Sequence, residues 1–173
     1  MSAAVEEASE GGRLPIISDA TSCTEGFAHL CDDAERGWRT EDDVAFVARE
    51  VLPRLGEVSP VTASLVLHPT CSSTQMGLDP DLRAVGAAVS ESVTVPDAWG
   101  CCAFAGDRGM LHPELTASAT AAEADEVALL EAEGRAETHA SCNRTCESGM
   151  TRATGSEYRH VLELLEEATR TSA

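Results

Sequence analysis

The chain contains no lysine. Its 12 basic residues are all arginine, set against 30 aspartates and glutamates, and the formal net charge is -18. A nucleic-acid binder needs cations against phosphate, so this balance argues against nucleic acid as a partner. It fits an arginine-favouring, GC-rich genome, with its many alanines, together with some selection for an acidic surface of the kind common at high salt. Such a field would steer a basic docking partner, such as a redox protein. Long apolar runs are also absent, which argues against an integral membrane helix. The N-terminal MSAAVEEASEGGR lacks the basic-then-apolar order of a secretion signal, and the expected compartment is the cytoplasm. No glycine-rich nucleotide fingerprint and no flavin-domain signature are present, so no nucleotide cofactor is expected on this chain.

What is present is cysteine. There are seven, an odd number without a secretion signal. Metal binding or redox chemistry is therefore a stronger reading than a disulfide framework. Two of them, Cys101 and Cys102, are adjacent in WGCCAFAGDRG. On that stretch alone they read equally well as two small buried hydrophobes or as ligands.

The 173 residues suit one domain with a real core. Residues 1–12 read as a disordered acidic lead-in and 13–173 as the folded part. LPIIS (14–18), ASLVLHP (63–69) and SVTVP (92–96) read as strands, and AETHA (136–140) as a short fourth. Between them lie helical periods. Thr40 is expected to cap a helix with Val44, Val47, Val51, Leu52 and Leu55 on one face. Asp79 is expected to cap another, with Pro80 at its first position. A long helix is expected from Pro113 to near Gly134, its EADEVALLEAE run a solvated face. Tyr158, Val161, Leu162 and Leu165 read as a last amphipathic helix. Alternation of strand and helix implies an α/β fold, a small parallel sheet with flanking helices.

Cys23, Cys71, the Cys101–Cys102 pair, and Cys142 with Cys146 each follow a strand candidate. In open parallel sheets, sites form beyond the carboxyl ends of strands, so these six are expected at one edge. Cys31 stands outside the pattern and reads as packing. SDATSCTEG (18–26) and SCNRTCESG (141–149) also echo one another without gaps. The echo reads as the tail of one repeat (about 13–60) followed by a complete one (about 61–173). His68 reads as a structural residue orienting its loop, with a ligand or proton-carrying role as the alternative. Arg108 and Arg144 read as loop salt bridges, or as groups that offset cluster charge or bind an anion. Asp107 and Glu147 read as caps or loop acceptors.

HPTCSSTQMGL, VPDAWGCCAFAGDRGMLHPELTASAT, SCNRTCESGMTRATG and LPIISDATSCTEG together resemble the CCG-type cysteine-rich region of FAD-linked D-lactate dehydrogenases with iron–sulfur centres. The same region type is found in heterodisulfide reductases and in the iron–sulfur subunits of glycolate oxidases. The resemblance implies metal ligation by Cys71, Cys101, Cys102 and Cys146, with Cys142 or Cys23 as a further member. It implies an iron–sulfur cluster of 4Fe-4S type, or zinc in some members. It also implies electron transfer from FAD on a partner flavoprotein to a quinone or cytochrome, peripheral association with the inner face of a membrane, and no catalysis by this chain alone. The usual CCG triplet is here Cys101-Cys102-Ala103, and Asn143 stands where a closing ligand is usual. Thiolates suit both clusters and zinc. Adjacent thiolates serve a cluster's several metals more easily than one tetrahedral ion.

Overall fold

The computed structural model describes residues 2–32 and 37–170, with side chains described for 3–29 and 37–170. In chain order the elements are α1 (Ser2–Ala8), β1 (Ile16–Ser18), α2 (Thr21–Asp32), β2 (Thr40–Asp42), α3 (Asp43–Phe46), β3 (Leu65–His68), α4 (Cys71–Gln75), α5 (Asp79–Val89), β4 (Val93–Thr94), α6 (Arg108–Leu111), α7 (Pro113–Ala132), β5 (Thr138–Ser141), α8 (Arg144–Thr154), β6 (Tyr158–His160) and α9 (Val161–Thr169). The Cys31 side chain lies outside the described residues.

The fold is α/β. β4-β3-β5-β6 form a four-stranded sheet and β1-β2 a two-stranded one, with every pairing parallel. β3 is buried along its whole length, and a strand covered on both faces reads as an unbroken apolar run. Leu65 and Leu67 share a core with Leu82, Val85 and Val89 of α5 and Leu164 and Leu165 of α9. Val66 points the other way, onto Val127 and Leu130 of α7. Strand side chains alternate, so His68 follows Val66 onto the α7 side. That parity positions the site described below.

The two echoing segments are alike in structure. β1 ends at Ser18 and α2 begins at Thr21; β5 ends at Ser141 and α8 begins at Arg144. β1-α2-β2-α3 thus follows the same order as β5-α8-β6-α9. The two turns touch: Thr21 Oγ1 donates to the Cys142 carbonyl at 3.1 Å, and Asn143 Nδ2 to Ser22 Oγ at 2.9 Å.

Several local readings are corrected. Thr40 lies on β2, and Asp42 caps α3 by accepting from the Val44 and Ala45 N–H groups. A π-helical turn (Val47–Val51) and a 3-10 turn (Leu52–Arg54) continue that helix. Pro53 has no N–H to give to the Arg49 carbonyl, so the α-helical ladder cannot run through it. Asp79 is the first helical residue of α5 rather than its cap; its carboxylate accepts from the Ser73 and Thr74 hydroxyls. Tyr158 belongs to β6. Within the lead-in expected to lack structure, α1 is tied down by Trp38 Nε1 donating to Glu6 at 2.6 Å. No helix of the described residues is long and apolar enough to cross a membrane.

Burial, with the charges of Asp42 and Asp19, raises the Asp43 carboxyl from 3.8 to about 7. Between about pH 4 and 7 the native chain holds a proton that the unfolded chain releases, so stability falls as pH rises through that window. Asp43→Asn keeps the acceptor for the Val44 N–H and removes the fall. Its thermal midpoint is expected above the parent's at about pH 8, with the gap narrowing toward pH 4, as followed by circular dichroism.

Candidate metal centre

Four chain segments deliver the site. His68 ends β3 and is buried. Its Nδ1 meets Glu123 Oε1 of α7 at 2.8 Å. α7 buries Thr116, Thr120, Glu123, Val127 and Leu130, a spacing of four, three, four and three that makes one helical stripe. Val127 and Leu130 meet Val66, and Glu123, one turn earlier, meets His68. The Trp99 indole N–H donates to the Pro69 carbonyl at 2.6 Å, and its ring tilts against His68 at 6.5 Å. Glu126, also on α7, accepts from the backbone N–H groups of Asp97 and Ala98 and so fixes the approach to the cysteine loop.

That loop places Cys102 in a small buried cluster with Phe104 and Cys146. Cys146 stands in the first turn of α8, behind the cap that Asn143 supplies. The Cys102 and Cys146 sulfurs are 2.9 Å apart. A ring nitrogen of His68 and these two sulfurs all lie within 4.8 Å of one another, and all three residues are buried. His68 Nε2 has no hydrogen-bond partner. The group can hold a metal. An imidazole whose other nitrogen meets a carboxylate is a recurrent arrangement behind metal ligands, because the carboxylate fixes ring orientation and raises basicity.

The electrostatics are those of a thiol–thiolate pair. The hydrogen bond from Cys146, aided by His68 and the Phe104 N–H, outweighs burial and lowers Cys102 to about 5. Cys146 is held as the thiol: its hydrogen bond to Cys102, burial and the Cys102 charge push it far up, and Cys142 and Cys71 add to the push. Burial opposes charge on His68, but Cys102 and Glu123 together raise its pKa.

The remaining expected ligands fall as follows. Cys71 is the exposed first residue of α4, whose cap is Thr70. Cys101 is exposed and interacts with Cys71; burial and that neighbour raise its pKa. Cys142 is buried against Thr70, Sγ to Oγ1 4.0 Å, and burial pushes it up to about 11. Cys23 is exposed on α2. Asn143 is a buried cap, Oδ1 accepting from Thr145 N at 3.1 Å. Arg144 is paired with Glu147 and Glu163. Glu147 lies buried on α8, not in a loop, and accepts from Arg144, and Arg152 lies over the Phe104 ring at 5.5 Å.

Ala103 has a φ of 52°, the left-handed region that favours glycine. The conformation costs alanine about 1–2 kcal/mol, and glycine's looser unfolded chain returns about 0.4–1 kcal/mol. Ala103→Gly is therefore expected to stabilise by roughly 0.5–1 kcal/mol, read as a higher urea midpoint at unchanged slope. Gly109 closes the same loop: a Cβ there would stand 2.7 Å from the Phe104 ring.

The sequence reads His68 as a structural residue with a ligand role as the alternative, and Glu123 as part of a solvated face; both belong to the buried group. The available signal is strand parity, with His68 two residues after Val66, together with the Thr116–Leu130 stripe in which Glu123 is the one charged member. No family model matches the chain, and no curated protein matches it.

Proposed function

We propose that the chain is a metal-binding electron-transfer module. In this reading Cys71, Cys101, Cys102 and Cys146 hold an iron–sulfur cluster of 4Fe-4S type, with Cys142 or Cys23 as a further member. The observation that carries the reading is the buried His68–Cys102–Cys146 group within 4.8 Å. The donor chemistry fits: thiolates are the natural ligands of such clusters, and the hydrogen bond from Cys146 lowers the Cys102 thiol to about 5. When bound, the cluster supplies one-electron transfer. The chain's own residues supply ligands, an imidazole oriented by Glu123, and an apolar cover from Trp99 and Phe104 that limits water.

The cysteine blocks support a place in a D-lactate or related 2-hydroxy acid dehydrogenase. Electrons would come from FAD on a flavoprotein domain or subunit and leave to a quinone or cytochrome. Residues 13–60 and 61–173 would be the tail of one repeat and a complete second one. The charge of -18 suits a basic redox partner. The chain's chemistry is thiolate chemistry, and hydride abstraction from a 2-hydroxy acid needs a cofactor such as a flavin. The purified chain is therefore expected neither to retain flavin nor to reduce a dye with D-lactate; activity from it alone would contradict this.

One observation favours a second reading. A histidine nitrogen beside two thiolates is a zinc donor set, which would make the chain a structural or interaction module. Anaerobic purification followed by iron, zinc and acid-labile sulfide analysis separates the two. Iron with matching sulfide supports the first reading, and colourless, zinc-loaded protein supports the second.

A further inference from the structure

We propose that Cys102 and Cys146 are also a redox-regulated pair: in the metal-free chain they close to an intramolecular disulfide that shuts the site, and reduction reopens it. The regulatory part rests on the metal reading above; the disulfide does not.

The two sulfurs are 2.9 Å apart. A disulfide bond is about 2.0 Å, so closure asks for roughly 0.9 Å of movement. Two thiolates sharing one tetrahedral ion at about 2.3 Å stand roughly 3.7 Å apart, so taking a metal asks the pair to open by a similar amount. The pair stands between the two outcomes, and a bond between the sulfurs removes both thiolates from the donor set at once. Phe104 is the other member of their buried cluster, so the bond would form in apolar surroundings.

Cys102 is 4% exposed and Cys146 6%. That burial selects the oxidant: a small hydroperoxide rather than a bulky disulfide. The step balances with hydrogen peroxide. One sulfur attacks a peroxide oxygen, the O–O bond breaks, water leaves, and a sulfenic acid forms. The second sulfur then displaces that hydroxyl as a second water, and the S–S bond forms. The protein loses two hydrogens and two electrons, and the peroxide becomes two waters. The exposed pair Cys71 and Cys101 is the competing partner set, and Cys142 is the competing neighbour of Cys146.

The arginine-only basic composition makes the test direct. Cleavage at arginine places Cys71 in 55–83, Cys101 and Cys102 in 84–108, Cys142 in 136–144 and Cys146 in 145–152. The full chain, metal-free and reduced, is treated with hydrogen peroxide, its remaining thiols are alkylated, and it is digested without reductant. The expected product joins 84–108 to 145–152, survives in Cys101→Ser, and separates with dithiothreitol. Zinc(II) uptake by the oxidised chain is expected to fall at least tenfold and to return on reduction. Cys102 and Cys146 both alkylated, or 145–152 joined to 55–83 or 136–144, would overturn the disulfide. A cross-link with zinc uptake unchanged would overturn its regulatory role. A reduced chain that takes up neither zinc nor iron overturns the metal reading itself, whatever the cross-link shows.

Discussion

Cys102→Ser is expected to abolish metal retention while leaving most of the helix content. The Cys102 thiol is lowered to about 5, chiefly by the hydrogen bond from Cys146. Soft thiolates select iron–sulfur clusters and zinc, and a serine hydroxyl does not ionise to replace one. The change is nearly isosteric, and the main core of Leu65, Leu67, Leu82, Val85 and Val89 is a separate cluster from that of Cys102, Phe104 and Cys146. Far-ultraviolet circular dichroism should therefore stay close to the parent while bound metal falls to background. Cys101→Ser, on the exposed side, carries the same expectation for the metal. Metal content unchanged in both variants would remove the site.

Glu123→Ala is the second large effect, and it acts on both stability and affinity. Glu123 is 1% exposed and meets His68 across β3 and α7. Removing the acceptor of a buried hydrogen bond leaves the His68 Nδ1 without its partner and costs about 1–3 kcal/mol. In the zinc reading, where His68 is a ligand, loss of the carboxylate behind it is expected to weaken zinc affinity by about 10–100-fold. Glu123→Gln keeps an oxygen acceptor and should lose less of both. Urea denaturation reads the first effect, and competition with a chelator reads the second. A Glu123→Ala chain as stable as the parent would mean that the buried contact contributes nothing. Unchanged zinc affinity would place His68 outside the zinc donor set.

The sheet was legible because its strands announce themselves. ASLVLHP is a short apolar run ended by proline, and it became the fully buried β3. The meeting of Cys102 and Cys146 was legible for a related reason: they follow β4 and β5, which run parallel in one sheet. β6 was not, because three residues cannot show a period, and Tyr158 falls at a helical spacing from Val161, Leu162 and Leu165. The cap at Asp42 was misplaced by two residues because the preceding Thr40 is itself a good capping type; pairing of Thr40 with Ile16 on β1 decided the matter. Glu123 was unreadable for a deeper reason. A glutamate in an alanine-rich helix reads as solvated unless its partner is known, and that partner lies 55 residues away.

The most direct measurement is X-ray absorption at the metal edge of the anaerobically purified chain, with metal and sulfide quantified on the same sample. The cluster reading predicts iron with acid-labile sulfide and a first shell dominated by sulfur at about 2.3 Å, lost in Cys102→Ser. A chain that retains no metal, or a first shell of oxygen and nitrogen alone, would contradict it.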